Sequence, residues 1–319
     1  MKIRTSFLMN VASVTSAVML LVVALPASSF AAGEERFDSP EEAVAALTKA
    51  AESHDTNAVH AIFGPEVHQL LNPDPVQANE NFNKFVERIK EKTHLVPESD
   101  SKQLLELGNE RYPFAIPLVK EDGKWFFDTN AGKEEILNRR IGANELGAIA
   151  VVRAYVDAQR EYASQDHTGD GVLQYAQHLR STPGTHDGLY WPVTNDYQQL
   201  SPFGPLITEA KAEGYHRHTG MMTEQNTQTP YHGYYFKILT RQGSHAPGGK
   251  YDYIINGNMI AGFGLVAWPA EWGNTGVMTF IVNQQGKIYQ KDLGPKTAAI
   301  ASAMTTYNPD SSWTPVTGH

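Results

Sequence analysis

Four runs rich in β-branched, aromatic or other apolar residues follow one another towards the C-terminal end: Tyr234–Leu239, Tyr251–Ile255, Ala261–Trp268 and Val277–Val282. Pro247-Gly248-Gly249, Asn256-Gly257 and Gly273-Asn274 separate them, and Gln285-Gly286 closes the last. Short apolar runs punctuated by turn residues predict an antiparallel meander. Upstream the period changes to that of a helix. Ser39 is placed to cap a helix with Pro40 in its first turn, and Ala43, Val44, Leu47, Ala50 and Ala51 form its apolar stripe. Further helices are predicted over Thr56–Phe63, from Pro65 to Leu71, and over Val76–Lys92, where Phe82, Phe85, Val86 and Ile89 share one side.

From Lys102 the pattern reads as strands again, over Gln103–Leu107, Phe114–Lys120 and Lys124–Asp128, with Asp122-Gly123 as a tight hairpin turn. The longest helix is expected from Lys133 to about Gln165, burying Ile136, Ile149, Val152, Tyr155, Val156 and Tyr162. Gly142 and Gly147 are expected to loosen it into two pieces. A short helix is predicted over Val172–Leu179, another over Leu206–Glu213, and a last one over Lys296–Met304. The fold class is α+β. Its expected organisation is a leader (residues 1–31), a linker (32–36), a small helical and β domain (37–130), and a larger domain (133–319) whose long helix packs on the meander.

The leader changes where the protein is expected to act. Lys2 and Arg4 precede an apolar run, Val14–Leu25, then Pro26 and the small-residue pair Ser29 and Ala31 around Phe30. That is the layout of a secretory signal cut before Ala32. The apolar run is short for a membrane anchor, and none of spanning length follows it. The expected location is therefore the periplasm or the cell exterior. The chain has no cysteine, which excludes acylation at a lipobox, disulfides and thiol chemistry. A net charge of −9 argues against nucleic acid as a partner, because phosphate binding needs a basic surface.

Residues 175–192 (YAQHLRSTPGTHDGLYWP), 201–206 (SPFGPL), 231–239 (YHGYYFKIL) and 256–294 (NGNMIAGFGLVAWPAEWGNTGVMTFIVNQQGKIYQKDLG) form a distinctive combination. Through them nearly all of the chain after the leader resembles the bacterial exported family catalogued as domain of unknown function 2950. That resemblance implies export and fold but no activity. A second likeness rests on Tyr162-Ala163, the Asp166–Gly171 loop, Ala267-Trp268-Pro269 and Thr275–Gly286, which resemble parts of the globular heads of type IV pilin-like proteins. Pilins carry a prepilin leader and an apolar helix continuous with the head, whereas this chain is expected to have a cleavable signal and a whole domain before its long helix. Residues 37–130 resemble the cone-shaped nuclear-transport-factor-like (NTF2-like) and cystatin-like modules, which host enzymes and binding domains alike.

Candidate chemistry is sparse. Asp166, Thr168 and Asp170 alternate before Gly171, which copies the first half of an EF-hand-type calcium loop. Gln177 stands where the bidentate glutamate belongs, so an Asp/Gly helix terminator is the alternative. His216 and His218 offer two imidazoles on an extended segment for zinc or copper, against the alternative of solvated histidines. His186 and Asp187 offer an acid–base pair or a carboxylate-oriented imidazole, against a structural turn over Tyr190 and Trp191. Trp191, Trp268 and Trp272 are the aromatic candidates for ligand contact, with the Trp268–Trp272 loop expected to project at a sheet edge. No Gly-x-Ser-x-Gly elbow or phosphate-binding glycine loop occurs.

The sequence therefore favours a non-enzymatic exported interaction or assembly module, with an envelope protein or a glycan as its partner. An envelope hydrolase or other carbohydrate-acting enzyme is the first alternative. It requires His186, Asp187, His232 and Glu271 to meet in one pocket. A metal-binding periplasmic protein is the second.

Overall fold

A computed structural model describes residues 33–192, 200–215 and 230–317. The leader and the His216 and His218 pair lie outside the described residues. Ser39 Oγ accepts the Glu42 amide hydrogen at 3.1 Å, and the Glu42 carboxylate reaches back to the Asp38 amide at 2.8 Å. This reciprocal cap starts α1 (Pro40–Glu52), which is followed by α2 (Thr56–Phe63), a 3-10 turn over Pro65–Leu70, and α3 (Pro75–Glu91). Next come β1 (Thr93–Ser99), β2 (Lys102–Leu107), β3 (Tyr112–Pro113), β4 (Leu118–Glu121) and β5 (Lys124–Phe127). They form an antiparallel sheet ordered β1-β2-β4-β5 with β3 on β2. The core between sheet and helices holds Ala43, Leu47, Ile62, Phe63, Leu105 and Phe127.

Two features of this sheet depart from the pattern. β1 is not among the predicted strands; as an edge strand bonded only to β2, it tolerates Pro97, which has no amide to donate. The strand expected over Phe114–Lys120 forms only from Leu118, as β4, and the short β3 precedes the expected run. Pro113 and Pro117 remove backbone donors there.

Asp128 caps α4 (Thr129–Tyr162) by accepting the Ala131 amide hydrogen at 2.9 Å. At 34 residues this helix is about 51 Å long. Its first turns meet the N-terminal core through Ile136, and its last five turns bury Ala148, Ile149, Val152, Tyr155, Val156 and Tyr162 in another core. It is one continuous helix, contrary to the expectation of a break at Gly142 and Gly147. A methyl group at Gly147 would meet His232 Cβ at 3.5 Å, an ordinary contact, and one at Gly142 would meet nothing within 4 Å. Packing along both ends outweighs a propensity cost of about 1 kcal/mol per glycine.

The chain then turns back. No helix forms over Val172–Leu179; the stretch runs extended towards β6 (His178–Arg180), which pairs in parallel with β7 (Gly188–Tyr190). After α5 (Gly204–Ala212) comes β8 (Tyr234–Leu239). The short strands β9 (Arg241–Gln242), β10 (Tyr251–Asp252), β11 (Ile254–Ile255) and β12 (Asn258–Met259) follow. The longer β13 (Gly264–Pro269), β14 (Met278–Asn283) and β15 (Tyr289–Asp292) are next, then α6 (Thr297–Ala303), β16 (Thr306–Tyr307) and β17 (Thr314–Pro315). The main sheet is antiparallel in the order β17-β15-β14-β13-β8.

Three of the four expected runs lie in that sheet. The Tyr251–Ile255 run instead splits between β10, on β9, and β11, in a hairpin with β12 whose turn is Asn256-Gly257. The Tyr175 amide donates to Met259 O at 2.8 Å, and the Gln177 side-chain amide to Gly257 O at 2.6 Å, which lays residues 172–177 along this hairpin. That backbone pairing displaces the expected helix.

β13 is buried throughout. Leu265 and Ala267 face α4 with Phe236, Phe280 and Val282, whereas Val266 and Trp268 face the opposite side with Ile281, Ala301, Tyr307 and Trp313. Layers on both faces explain why this strand reads as a continuous apolar run rather than an alternating one. Among the described residues, no helix is long and apolar enough to cross a membrane.

Candidate functional site

Two loops separated by residues 172–181 meet beyond the C-terminal end of α4. The first, Asp166–Gly171, is folded around one carboxylate. Asp166 Oδ1 accepts amide hydrogens from Thr168 at 3.1 Å and Gly169 at 2.7 Å, and Oδ2 accepts one from Gly171 at 2.9 Å. Those amides, Gly171 foremost, hold the Asp166 carboxyl below the usual carboxylate range. Asp170 Oδ1 accepts the Val172 amide hydrogen at 2.9 Å. The Gln174 amide group contacts Thr168 Oγ1 at 3.2 Å and Asp170 Oδ2 at 3.3 Å.

The second loop, residues 182–187, is pinned by Asp187 in the same way. Its Oδ1 accepts the Thr182 amide hydrogen and the Thr185 hydroxyl, both at 2.7 Å, and its Oδ2 accepts the Thr182 hydroxyl at 2.8 Å. Burial opposes the charge, yet the hydrogen bonds from Thr185 and Thr182 prevail and keep this carboxyl below its ordinary value. Ser181 closes the base of the loop: its hydroxyl accepts the Gly188 amide hydrogen at 3.0 Å.

Between the loops stands a group of rings. Tyr162, 1% exposed, donates its hydroxyl to His186 O at 2.6 Å. The His186 ring lies on that of Trp191 with centroids 4.3 Å apart and planes at 22°. His167 stacks on Tyr162 at 4.3 Å and approaches Trp191 at 5.3 Å. Trp191 is 2% exposed, so it is the floor, and His186 is the exposed layer above it. Burial, together with the facing His186, pushes the His167 imidazole below its ordinary value. Burial and the negative charge of Asp187 push the Tyr162 phenol up to about 12, leaving it a hydrogen-bond donor at neutral pH. A cleft of about 470 Å³ results, lined by His167, Thr168, Gly184, Thr185, His186 and Asp187.

Of the residues singled out in the sequence, His186, Asp187, Trp191 and the Asp166, Thr168 and Asp170 loop come together here. Asp187 is not the partner of the His186 ring; its oxygens serve the loop. Among the described residues, no three His, Asp or Glu side chains converge as a metal-ligand set. Trp268 does not project: it is 7% exposed on the second face of β13, beside Tyr235 at 5.8 Å. The central position of its strand buries it. Trp272 is 39% exposed, and its indole donates to Asp292 Oδ1 at 2.8 Å.

His232 and Glu271 lie elsewhere. The His232 ring pairs with Glu213 at 3.0 Å and with the Gln77 amide at 3.3 Å, and Gln77 in turn donates to Asn144 on α4 at 2.9 Å. Glu271 accepts from Asn274 at 2.8 Å, and Asn274 also contacts Arg140 of α4. Asn144 and Tyr162 are 18 residues apart on one helix, about 27 Å along its axis. The four side chains of the hydrolase reading therefore fall at opposite ends of that span.

The sequence reading missed two cleft residues. His167 is not among the candidate ligands of its loop, and Tyr162 is predicted only as a core residue. The signal for both was local: a tyrosine ending a helix five residues before an imidazole in a tight turn. Their meeting with His186 and Trp191 depends on tertiary folding.

The family described as "Protein of unknown function (DUF2950)" matches residues 34–316. The chain belongs to this family. No curated protein and no solved structure matches it. The DUF2950 match spans both cores and both loops of the cleft, so the site lies within the family's shared region. The likenesses to pilin heads and to cone-shaped modules remain likenesses of sequence pattern.

Proposed function

We propose that this DUF2950 protein is an exported, non-enzymatic binding module of the cell envelope, and that its ligand sits in the cleft between residues 166–171 and 182–187. One observation carries the reading. Two loops, each rigidified by its own aspartate, hold a pair of imidazoles over a buried tyrosine and tryptophan. A concave site with a few fixed polar groups over rings is how proteins hold small ligands. Asp166 and Asp187 already accept hydrogen bonds from their own loops, which favours recognition over acid–base chemistry. The expected export follows from the charged start, apolar run and small-residue site of the first 31 residues.

The test uses the protein expressed with its own leader and recovered from the exported fraction. Fractionated envelope material, both protein and glycan, is titrated while tryptophan fluorescence is followed, in the wild type and in His186→Ala. Saturable binding that weakens in the variant, with the ligand recovered chemically unchanged by mass spectrometry, supports the proposal. Variant-sensitive consumption of the ligand would replace binding with catalysis. Binding indifferent to His186 would move the site elsewhere.

A further inference from the structure

We propose that the cleft takes a neutral saccharide, its ring stacked on the outer face of His186; this rests on the reading of the cleft as the ligand site. The His186 imidazole is nearly coplanar with the indole beneath it, at 22° and 4.3 Å. One face lies on Trp191, and His186 is an exposed residue that lines the cleft. The outer face is therefore a flat platform held in place before any ligand arrives. A pyranose presents a matching face of C–H groups, and flat rings with polar edges serve both kinds of contact such a ligand needs.

The rim supplies the polar half of the match. Thr168 and Thr185 each offer a hydroxyl oxygen, and His167, whose ring N–H is bonded to the Tyr162 carbonyl, offers its other nitrogen as an acceptor when neutral. The Thr185 hydroxyl donates inward to Asp187, which leaves its lone pairs to accept from a ligand hydroxyl. The Thr168 hydroxyl donates to Asp166 Oδ1 at 3.3 Å and accepts from the Gln174 amide at 3.2 Å, which leaves one lone pair for a ligand hydroxyl.

Charge narrows the class. None of the six lining residues is Lys or Arg, and Asp187 lines the cleft with Asp166 next to its wall, so an anion meets repulsion without a counter-charge. A cation finds no bare carboxylate, because the Asp187 oxygens take three hydrogen bonds from Thr182 and Thr185. The Asp166 oxygens take three from backbone amides. What remains suits hydroxyl groups. A volume of about 470 Å³ falls in the lower part of the range small ligands occupy, roughly 300–1,000 Å³.

The experiment is calorimetric titration of the exported protein with four probes. Two are neutral, the β-1,4-linked tetramers of N-acetylglucosamine and of glucose. One is anionic, tetragalacturonate, and one cationic, the glucosamine tetramer. The variants are His186→Ala, His186→Phe and Thr168→Ala, each checked for an unchanged melting temperature. Saturable binding of a neutral tetramer is expected to weaken at least about tenfold in His186→Ala, yet to stay within about threefold in His186→Phe, which keeps the ring on Trp191. Thr168→Ala, on the opposite loop from His186, is expected to weaken it about fivefold by removing one hydrogen bond.

No binding of either neutral tetramer overturns the saccharide assignment, as does equal loss in His186→Phe and His186→Ala. His186-sensitive binding of only the charged tetramers, or of an envelope protein, also rejects it while leaving the cleft as a binding site. If neither these probes nor envelope fractions show any His186-sensitive binding, the cleft itself is not the ligand site and both readings fall.

Discussion

Tyr215 donates its hydroxyl to Asp74 Oδ2 at 2.6 Å, across 141 positions of sequence. Both residues are buried, at 2% and 0% exposed. Asp74 is also the cap of α3, where its Oδ1 accepts the amide hydrogens of Val76 at 3.0 Å and Gln77 at 3.3 Å. Burial and the Asp74 carboxylate together raise the Tyr215 phenol, so it remains a donor at all ordinary pH. One carboxylate therefore starts a helix of the N-terminal half and fastens the chain after α5 to it. Gln77, His232 and Asn144 continue this polar seam.

Removing the hydroxyl in Tyr215→Phe is expected to lower unfolding free energy by about 2 kcal/mol, because a buried carboxylate loses a partner. Asp74→Ala is expected to cost about 3 kcal/mol or more, adding loss of the cap. The double variant should fall short of the sum by about 1 kcal/mol, the mark of a direct pair. Urea unfolding of the three variants measures this. Strict additivity would mean the bond does not join the two segments energetically.

Glycines give a paired expectation of opposite sign. A methyl group at Gly188 would stand 2.6 Å from the backbone carbon of Arg180 and from the Ser181 nitrogen, where β6 and β7 meet. Gly188→Ala should therefore destabilise by about 1–3 kcal/mol and disturb the His186–Trp191 stack, visible as a loss of near-ultraviolet dichroism. Nothing lies within 4 Å of the equivalent position at Gly142. Gly142→Ala should stabilise α4 by up to about 1 kcal/mol. A destabilised Gly142→Ala would show that the helix needs a weak point there after all.

The α+β class, the cap of α1, the strands of the main sheet around Trp268, and the Asp166 and His186 loops were legible in the chain, because each rests on neighbours within a few residues. What escaped depends on distant partners. β1 exists because an edge strand tolerates Pro97. Residues 172–177 are extended because the β11–β12 hairpin offers them backbone partners. Trp268 looked like a loop aromatic next to Pro269 and Gly273, yet the layer of α6 and Trp313 covers it. The cleft lay between these cases. Its two loops could be read, but the ring of Tyr162 and the contact of His167 with Trp191 follow only from where α4 ends.

The Asp166 loop sharpens the calcium question. Its two carboxylate oxygens already face amide hydrogens of Thr168, Gly169 and Gly171, which supply the positive dipoles a cation would otherwise bring. Melting temperature is therefore expected to shift by less than about 1 °C between chelator and millimolar calcium. Asp166→Ala should instead loosen the loop and expose Tyr162 with or without calcium, read as faster hydrogen exchange at residues 163–171. A calcium-specific rise in melting temperature, abolished in Asp170→Ala, would make this loop a metal site.

His167 fixes the sign of a pH effect. Burial and the facing His186 lower its pKa from the ordinary 6.5, so the fold favours the neutral ring. Above pH 6.5 the ring is neutral both folded and unfolded, and its contribution to stability is fully present. As pH falls below that value the unfolded chain takes up the proton first, and the contribution is lost as pH passes down through the lowered folded value. The melting temperature should therefore drop between about pH 7 and pH 5. His167→Phe, which keeps a ring on Tyr162 but cannot titrate, should drop less over the same interval. Proton-detected titration of the imidazoles gives the independent check: the His167 signal should move at a pH below 6.5 and shift upward in His186→Ala, where the like charge and part of the cover are both removed. A His167 midpoint above 6.5, or equal slopes for wild type and His167→Phe, would mean that the ring is not held neutral by its place in the cleft.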